Sequence, residues 1–306
     1  MITKKKILIV GGTGFIGYHL AKKSLKKGWN VTSVSSKSPK KIRFLPRVKY
    51  IICNILNKAS LKKKIKKDFD YVVNLGGYVN HSEKKKTFKS HYLGCQNLVK
   101  IFLNTKIKSF VQMGSSIEYG NSKSPHKENV KCYPDSLKST YGKAKLLSSI
   151  YLGNIFKKEG FPSTVLRLYL AYGPRQDLNR LLPITIKGCL ENKKFPCSAG
   201  KQYKDFIHVE DVVDAIIKSL MNKNARGQII NIGSGKPKKI KKVIEYIKKV
   251  SGGGYPQFGK IKLRKDEIQK FYPNVLKAKR KINWVPKISF EKGVKSTIKF
   301  YKENAI

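Results

Sequence analysis

The chain has 306 residues, 40% of them hydrophobic, so it is long enough to bury a large core as one domain or as two intertwined domains. Its formal net charge of +48, from 66 Lys and Arg residues against 18 Asp and Glu residues, is typical of proteins that bind nucleic acids or anionic membranes. The cations are mostly lysines spread along the whole chain, without a basic arm or a nucleic-acid-binding motif, so the sequence disfavours specific nucleic-acid binding.

The first predicted element is a buried strand from Ile7 to Val10, which leads directly into a glycine-rich turn and a helix. The turn fits G-x-G-x-x-G, and with its first glycine included it also fits the looser G-x-x-G-x-x-G. Such glycines allow a tight turn, the approach of a pyrophosphate to the backbone, and close packing of the helix on the strand. The start of a helix also attracts phosphate. The turn therefore predicts a dinucleotide site formed by Gly11, Gly12, Thr13, Gly14, Phe15, Ile16 and Gly17.

A second strand is predicted from Val31 to Ser35. In a dinucleotide-binding fold, an Asp or Glu at the end of this strand binds the 2′-hydroxyl of the adenosine ribose of NAD. This chain has Ser35, Ser36 and Lys37 there, with further cations close behind, which suits a 2′-phosphate. The sequence therefore favours NADP as the cofactor over NAD, while NAD stays open because lysine is common throughout the chain.

The following elements continue the alternation of strand and helix. The fourth strand ends in Leu75, Gly76 and Gly77, a second place where backbone can approach a cofactor. This alternation indicates an α/β fold with a Rossmann-type, doubly wound parallel sheet. The remaining elements predicted in this half of the chain are a third strand over 48–53, a helix over 60–67, a fourth strand from Tyr71, a long helix over about 86–104 with Leu93, Leu98 and Ile101 on its apolar side, and a fifth strand over 109–113.

Residues able to move a proton follow the fifth strand. Tyr141 and Lys145 are four residues apart and therefore lie on one face of a predicted helix. A tyrosine has an ordinary pKa near 10, and a neighbouring ammonium together with a cationic nicotinamide would lower it. Ser115, at the strand end, could hydrogen bond the same substrate oxygen. With the glycine-rich turn, these residues predict a site in which Tyr141 moves a proton and the nicotinamide moves a hydride.

On these residues the chain resembles the extended short-chain dehydrogenases/reductases of the NAD-dependent epimerase/dehydratase family, which act on nucleotide sugars. The similarity covers essentially the whole chain. It implies an NAD(P)-dependent oxidoreductase whose partner is a nucleotide-diphosphate sugar. Beyond the glycine-rich turn and Tyr-x-x-x-Lys, it is carried by the segments 166–174, 204–212, 231–235 and 284–286.

The resemblance implies a role for each matching position. Tyr141 would be the general acid/base, Lys145 would tune it and bind the cofactor ribose, and Ser115 would be the catalytic Ser/Thr. Tyr169 begins a strip that would pass the nicotinamide. The substrate-binding residues implied by the family are Ser115, Ser116, Arg175, Lys204 and Arg264, the last three for the diphosphate.

Several positions depart from the family pattern. Dehydratases of the family place Asp-Glu directly after the catalytic Ser/Thr, where this chain has Ser116 and Ile117. Glu118 comes one position too late and, on a strand, would face the other way. The sequence therefore argues against a 4,6-dehydratase. The usual Asn residues are replaced by His91 and Leu170, which suggests an altered sugar pocket. A catalytic role for His91 stays open, but we expect it to pack or to form a hydrogen bond.

Three functions remain open from the sequence. The first is reduction of a 4-keto group on a nucleotide-linked 4-keto-6-deoxyhexose, because Gly114–Asn121 also resembles the enzymes that finish CDP-linked dideoxyhexoses of O-antigens, such as abequose and paratose synthases. The second is NAD-dependent 4-epimerisation of a nucleotide sugar. The third is a non-catalytic, dinucleotide-binding scaffold.

Residues 1–168 and 205–234 are expected to form the nucleotide-binding domain, and residues 169–204 and 235–306 a smaller, discontinuous substrate-binding domain. The family resemblance implies a homodimer built from the helices near 86–104 and 140–158. We expect no membrane span, because no run of about 18 apolar residues occurs. Five scattered cysteines without C-x-x-C favour a cytoplasmic protein. His81 and His126 have no partners at metal-ligand spacing, so no metal site is expected.

Overall fold

The computed structural model describes residues 4–80, 82–263 and 267–304. The strands in this part of the chain are β1 (Lys6–Val10), β2 (Asn30–Ser35), β3 (Val48–Ile52), β4 (Tyr71–Asn74), β5 (Ser109–Ser115), β6 (Ser163–Leu168), β7 (Leu170–Tyr172), β8 (Lys194–Pro196), β9 (Tyr203–Lys204), β10 (Phe206–His208), β11 (Ile229–Ile232), β12 (Lys238–Lys239), β13 (Tyr255–Gln257) and β14 (Lys270–Phe271). The α-helices are α1 (Phe15–Lys26), α2 (Lys58–Lys64), α3 (Lys84–Phe88), α4 (Gly94–Phe102), α5 (Thr140–Glu159), α6 (Leu181–Leu190), α7 (Val209–Met221), α8 (Ile240–Ser251), α9 (Leu276–Ile282) and α10 (Phe290–Glu303).

Seven parallel strands form the central sheet in the order β11-β6-β5-β4-β1-β2-β3. The strand order reverses between β1 and β4, because the chain builds outward from β1 in one direction and from β4 in the other. The loops that follow β1 and β4 therefore diverge and leave a crevice at the carboxyl edge of the sheet, where ligands bind in such folds. The predicted α/β, Rossmann-type doubly wound parallel sheet is confirmed.

The sheet is buried on both faces, as its run of apolar residues requires. In β1, Ile7 and Ile9 pack in one hydrophobic cluster with residues of α1 and α7. The alternate residues, Leu8 and Val10, pack in a second cluster with residues of α4 and α5 on the opposite face. The two layers of helices fix the sheet, and with it the positions of the strand ends that border the crevice.

The helix predicted over about 86–104 differs from the expectation. It consists of α3, a π-helical turn from Lys89 to Leu93, and α4. A π turn contains one extra residue and rotates the residues around it relative to a regular α-helix. Leu98 and Ile101 are buried as predicted, but Leu93, at the end of the π turn, is 37% exposed and does not belong to the apolar stripe.

Short strands and the last helices form the remaining structure. β7 pairs with β10, β9 lies between β12 and β14, and β8 pairs with β13. A third hydrophobic cluster joins residues of α6, α8 and α10. The predicted boundaries of the two domains stay a prediction. Among the helices of the described residues, none is long and apolar enough to cross a membrane.

Candidate active site

The glycine-rich turn after β1 has a backbone that only glycines allow. Gly11 has a φ of +79°, in the left-handed region. A Cβ added at Gly12 would lie 2.4 Å from Ser33 Oγ, and one at Gly17 would lie 2.3 Å from the carbonyl oxygen of Gly11. The turn ends at Gly14, the N-cap of α1, which supplies no side-chain cap to the helix. The exposed backbone of this helix start is therefore suited to a phosphate group.

Two other strand ends meet this turn. The backbone N–H of Thr13 donates to Ser35 Oγ (3.4 Å) at the end of β2. A Cβ at Gly11 would lie 3.0 Å from the backbone nitrogen of Gly76, which follows β4 with Leu75. The predicted cofactor residues of β1, β2 and β4 thus come together at the crevice. Ser36 and Lys37 are exposed beside them. Side chains in place of the glycines would fill this part of the crevice. Their absence lets the backbone approach a ligand closely, as a dinucleotide requires.

The predicted proton-transfer residues also come together. Ser115 ends β5, while Tyr141 and Lys145 lie in α5, whose N-cap Ser139 accepts a hydrogen bond from the Gly142 N–H (3.3 Å). The side chain of Tyr141 is hydrogen bonded to that of Ser115. Lys145 Nζ lies 5.8 Å from the centre of the Tyr141 ring and donates to the carbonyl of Met113 in β5 (2.6 Å). α5 is thereby fixed against the strand that carries Ser115.

Burial governs the electrostatics of this group. It raises the pKa of Tyr141, since it disfavours the phenolate, and the bond to Ser115 and the charge of Arg180 oppose this effect. Burial lowers the pKa of Lys145 to about 8, against the charge of Glu118. In the chain itself desolvation therefore raises the pKa of Tyr141, whereas the sequence predicted that the neighbouring ammonium would lower it.

His91 contacts Tyr141 directly, a relationship that the sequence did not reveal. Its ring lies edge-on to the phenol ring, with centroids 4.9 Å apart, and its Nε2 is 3.2 Å from the carbonyl oxygen of Tyr78. Gly77 makes room for it, since a Cβ there would fall 1.8 Å from His91 Cε1. The π turn that carries His91 is the local feature associated with this placement, as π turns often occur at functional sites.

Glu118 corrects an expectation. It does not lie on a strand, because Ser116–Tyr119 forms a 3₁₀ turn capped by Ser115. Its carboxylate is fully buried and forms an ion pair with Arg167 Nε of β6 (2.9 Å). Ser116, an expected substrate residue, is buried in the same turn. The turn conformation was not predicted because its inward-facing Glu118 is held by Arg167, 49 residues further along the chain.

Tyr169 is deeply buried, with its hydroxyl 2.7 Å from His126 Nδ1. Burial raises the pKa of this tyrosine strongly. His126 is itself fully buried, and its ring stacks on Tyr119, the last residue of the turn that carries Glu118. The side chain of Tyr169 therefore packs beneath the turn that carries Glu118. Its predicted contact with the nicotinamide stays a prediction.

The residues expected to bind the diphosphate lie in different surroundings. Lys204 Nζ forms an ion pair with Glu267 (2.5 Å) and donates to the carbonyl of Ile268 (3.1 Å). Arg175 donates to the carbonyl of Ile42 (2.7 Å), and its guanidinium stacks on rings of α1 and α10. Arg264, like His81, lies outside the described residues. The structure thus brings Ser115 and Tyr141 into contact. Arg175, in contrast, contacts α1 and α10.

Comparison with known proteins identifies a family and several similar proteins. A model of the NAD dependent epimerase/dehydratase family matches residues 7–233. The chain is 29% identical to UDP-N-acetyl-alpha-D-glucosaminuronate decarboxylase of Bacillus cytotoxicus, over 98% of each chain. It is 27% identical to CDP-abequose synthase of Salmonella muenchen, over 96% of this chain and 97% of that one. The structure of UDP-glucuronic acid 4-epimerase from Bacillus cereus, in complex with UDP-glucuronic acid and NAD, superimposes with a TM-score of 0.86 at 25% identity, over 97% of this chain and 99% of that one.

Proposed function

Because this chain belongs to the NAD-dependent epimerase/dehydratase family, we propose that it is an enzyme that transfers a hydride to or from a sugar carbon in a nucleotide-diphosphate sugar. The observation that carries the proposal is the hydrogen bond between Ser115 and Tyr141, formed at the same sheet edge as the glycine-rich turn. A proton-transfer group beside a dinucleotide cradle is the arrangement that carbonyl–alcohol interconversion needs.

In the proposed mechanism the cradle residues around Gly11, Gly12 and Gly76 hold the dinucleotide, which supplies hydride chemistry when bound. Tyr141 Oη exchanges a proton with the substrate oxygen. Ser115 Oγ holds that oxygen by a hydrogen bond. Lys145, held by the carbonyl of Met113, places a cation beside the phenol and binds the cofactor ribose. Lys204, Arg175 and Arg264 are proposed to hold the diphosphate, with Ser116 near the sugar.

For the reaction, we favour reduction of a 4-keto-6-deoxyhexose linked to a nucleotide diphosphate. Two observations support it. The residues after β2 are Ser35, Ser36 and Lys37, without the carboxylate that favours NAD, so NADP is the proposed cofactor. The second is the full-length similarity to CDP-abequose synthase.

A second candidate is NAD-dependent 4-epimerisation. It is supported by the likeness to the Bacillus cereus 4-epimerase with NAD and by 27% identity, over 97% of this chain, to a putative UDP-glucose 4-epimerase of Methanocaldococcus jannaschii. The same Ser115 and Tyr141 would serve both reactions. The two candidates differ in whether the cofactor leaves after each turnover.

The test begins with the ultraviolet spectrum of the purified protein, since retained NAD would contradict the reductase assignment. Thermal shifts with UDP, CDP, GDP and dTDP, each with NAD or NADP, then identify the nucleotide. Matching sugar nucleotides, including a 4-keto-6-deoxyhexose supplied together with NADPH as the hydride donor, are incubated with the protein and the products identified by NMR. UDP-glucuronate is included because the chain is similar to a decarboxylase of a related nucleotide sugar. Release of carbon dioxide is the readout for this substrate. Tyr141→Phe is the control. If wild type converts none of the sugars, or if Tyr141→Phe retains full turnover, the proposal fails and the non-catalytic scaffold is favoured.

We also propose a homodimer formed through α3–α4 and α5. Large apolar side chains are exposed on both, Leu93 directly before α4 and Ile150 within α5. Such side chains are candidates for burial against a second copy of the chain.

A further inference from the structure

A buried ion pair lies directly behind the proposed proton-transfer group. Glu118 is fully buried and Arg167 is 2% exposed. A buried charge is costly unless it is paired and its remaining hydrogen-bonding capacity is satisfied. Removing this pair in favour of apolar residues would often cost little stability. Its presence at this position therefore calls for a role other than holding the fold together.

The carboxylate of Glu118 is bonded to three parts of the site. Oε1 accepts the backbone N–H of Ser115 (2.7 Å). Oε2 accepts Arg167 Nε (2.9 Å) and the hydroxyl of Ser149 (2.7 Å). Gly114 leaves the space for it, since a Cβ there would lie 2.6 Å from Oε1. One carboxylate thus joins the end of β5, the strand β6 and the helix α5.

The other partner is also fixed. The guanidinium of Arg167 lies 4.4 Å from the centre of the Tyr119 ring, and the hydroxyl of Tyr119 donates to Asn231 of β11 (2.8 Å). The position of Glu118 is therefore set by two neighbouring strands of the sheet, β6 and β11. Charge-assisted hydrogen bonds of this kind are shorter and stronger than neutral ones and restrict movement of the groups that they join.

We propose that Glu118, paired with Arg167, is a positioning residue that fixes Ser115 relative to Tyr141. Ser149, whose Oγ also lies 3.2 Å from the carbonyl oxygen of Lys145, completes the connection to the helix that carries the acid/base. The inference rests on the proposed function. Loss of the carboxylate should misplace the Ser115 hydroxyl and lower kcat. The dinucleotide should still bind, since the contacts of the glycine-rich turn described above do not involve this pair.

Two double variants test the inference. Glu118→Leu with Arg167→Met removes both charges, so neither is left buried and unpaired. Glu118→Gln with Arg167→Met also removes the charges but keeps an oxygen that can accept the Ser115 N–H. Folding is checked by thermal unfolding, and binding of NAD and of NADP by calorimetry. The position of Ser115 is followed by the amide resonance of ¹⁵N-serine-labelled protein, assigned with Ser115→Ala.

We expect the Leu/Met variant to bind the same dinucleotide as wild type, to move the Ser115 amide proton upfield, and to lose about 10²-fold in kcat, the cost of a small misplacement. KM should change less than kcat, since the residues proposed to hold the diphosphate do not belong to this pair. The Gln/Met variant should have an amide resonance of Ser115 and a kcat close to those of wild type. A folded Leu/Met variant with a wild-type amide resonance, or with wild-type kcat, overturns the proposal. Were the wild type to convert no sugar nucleotide, the proposed function would fail, while the amide resonances would still decide the positioning role.

Discussion

The imidazole of His91 lies edge-on against the phenol ring of Tyr141, with ring centroids 4.9 Å apart. This contact connects the π turn before α4 to the proposed acid/base. Edge-to-face aromatic pairs contribute about 0.5–1.5 kcal/mol beyond the area they bury. We expect His91→Ala to lower kcat by up to about tenfold, since Tyr141 would lose one wall of its site.

The matched control is His91→Phe, which keeps a ring against Tyr141 but loses the bond to the Tyr78 carbonyl. Steady-state kinetics on the sugar nucleotide converted by wild type would compare the variants. We expect His91→Phe to retain more activity than His91→Ala. Equal kcat for His91→Ala and wild type would show that the contact does not contribute.

Gly12→Ala should weaken dinucleotide binding by at least tenfold. The new Cβ would lie 2.4 Å from Ser33 Oγ and 2.7 Å from Ser33 Cβ, so the turn would have to shift. Adding Ser33→Gly removes both atoms and should restore much of the affinity. Calorimetric titration with NAD and NADP measures the effect.

The control for this prediction is Gly153→Ala in α5, where a Cβ would meet nothing within 4 Å. We expect unchanged dinucleotide affinity and a gain of up to about 1 kcal/mol in the free energy of unfolding, because alanine is the better helix former. Wild-type affinity in Gly12→Ala would contradict the close packing of the turn.

Stability should fall in acid partly through His208. Burial lowers the pKa of its imidazole to about 4 in the folded protein, whereas an unfolded histidine has a pKa of about 6.5. Between these values the unfolded chain binds a proton that the folded one does not, so the free energy of unfolding decreases as the pH falls from about 6.5 towards 4. The contribution is of the order of a few kcal/mol.

His208→Asn tests this prediction. His208 is the N-cap of α7, and its Nδ1 accepts the Glu210 N–H (3.3 Å). Asparagine can also cap a helix but does not titrate. Urea unfolding between pH 7 and 4.5 should show a shallower loss of stability for the variant. Identical pH dependence in both proteins would remove His208 as a cause.

Ile150→Glu should dissociate the proposed homodimer. Ile150 is 40% exposed on α5, and a buried, unpaired carboxylate in a subunit interface is strongly unfavourable. Sedimentation equilibrium would measure the change in mass. Leu276→Glu, at a 59% exposed position of α9, is the control and should leave the mass unchanged. A variant with the same mass as a dimeric wild type would place the interface elsewhere.

Short sequence patterns were sufficient to predict most strands of the central sheet. The alternation of buried strands and helices gave the α/β class, and parallel strands that end at one edge explained why Ser35, Gly76 and Ser115 should lie near the same crevice. The pairing of Tyr141 with Lys145 followed from helical spacing alone.

What the sequence did not predict depends on distant partners. The turn of Glu118 was taken for a strand because its stability comes from Arg167, which no local pattern connects to it. The contact between His91 and Tyr141 depends on a π turn, which has no clear sequence signal. Leu93 was placed on the apolar stripe for the same reason, although it is exposed.

The ion pair of Lys204 with Glu267 affects how a substrate would be held. When a diphosphate binds, Lys204 would exchange one anionic partner, Glu267, for another. The gain in binding free energy is then only the difference between the two pairings. Because added salt weakens both pairings, its effects would largely cancel. Affinity for the nucleotide sugar would then depend less on ionic strength than the large positive charge of the chain suggests. Selectivity would be determined mainly by the shape of the anion that replaces the carboxylate.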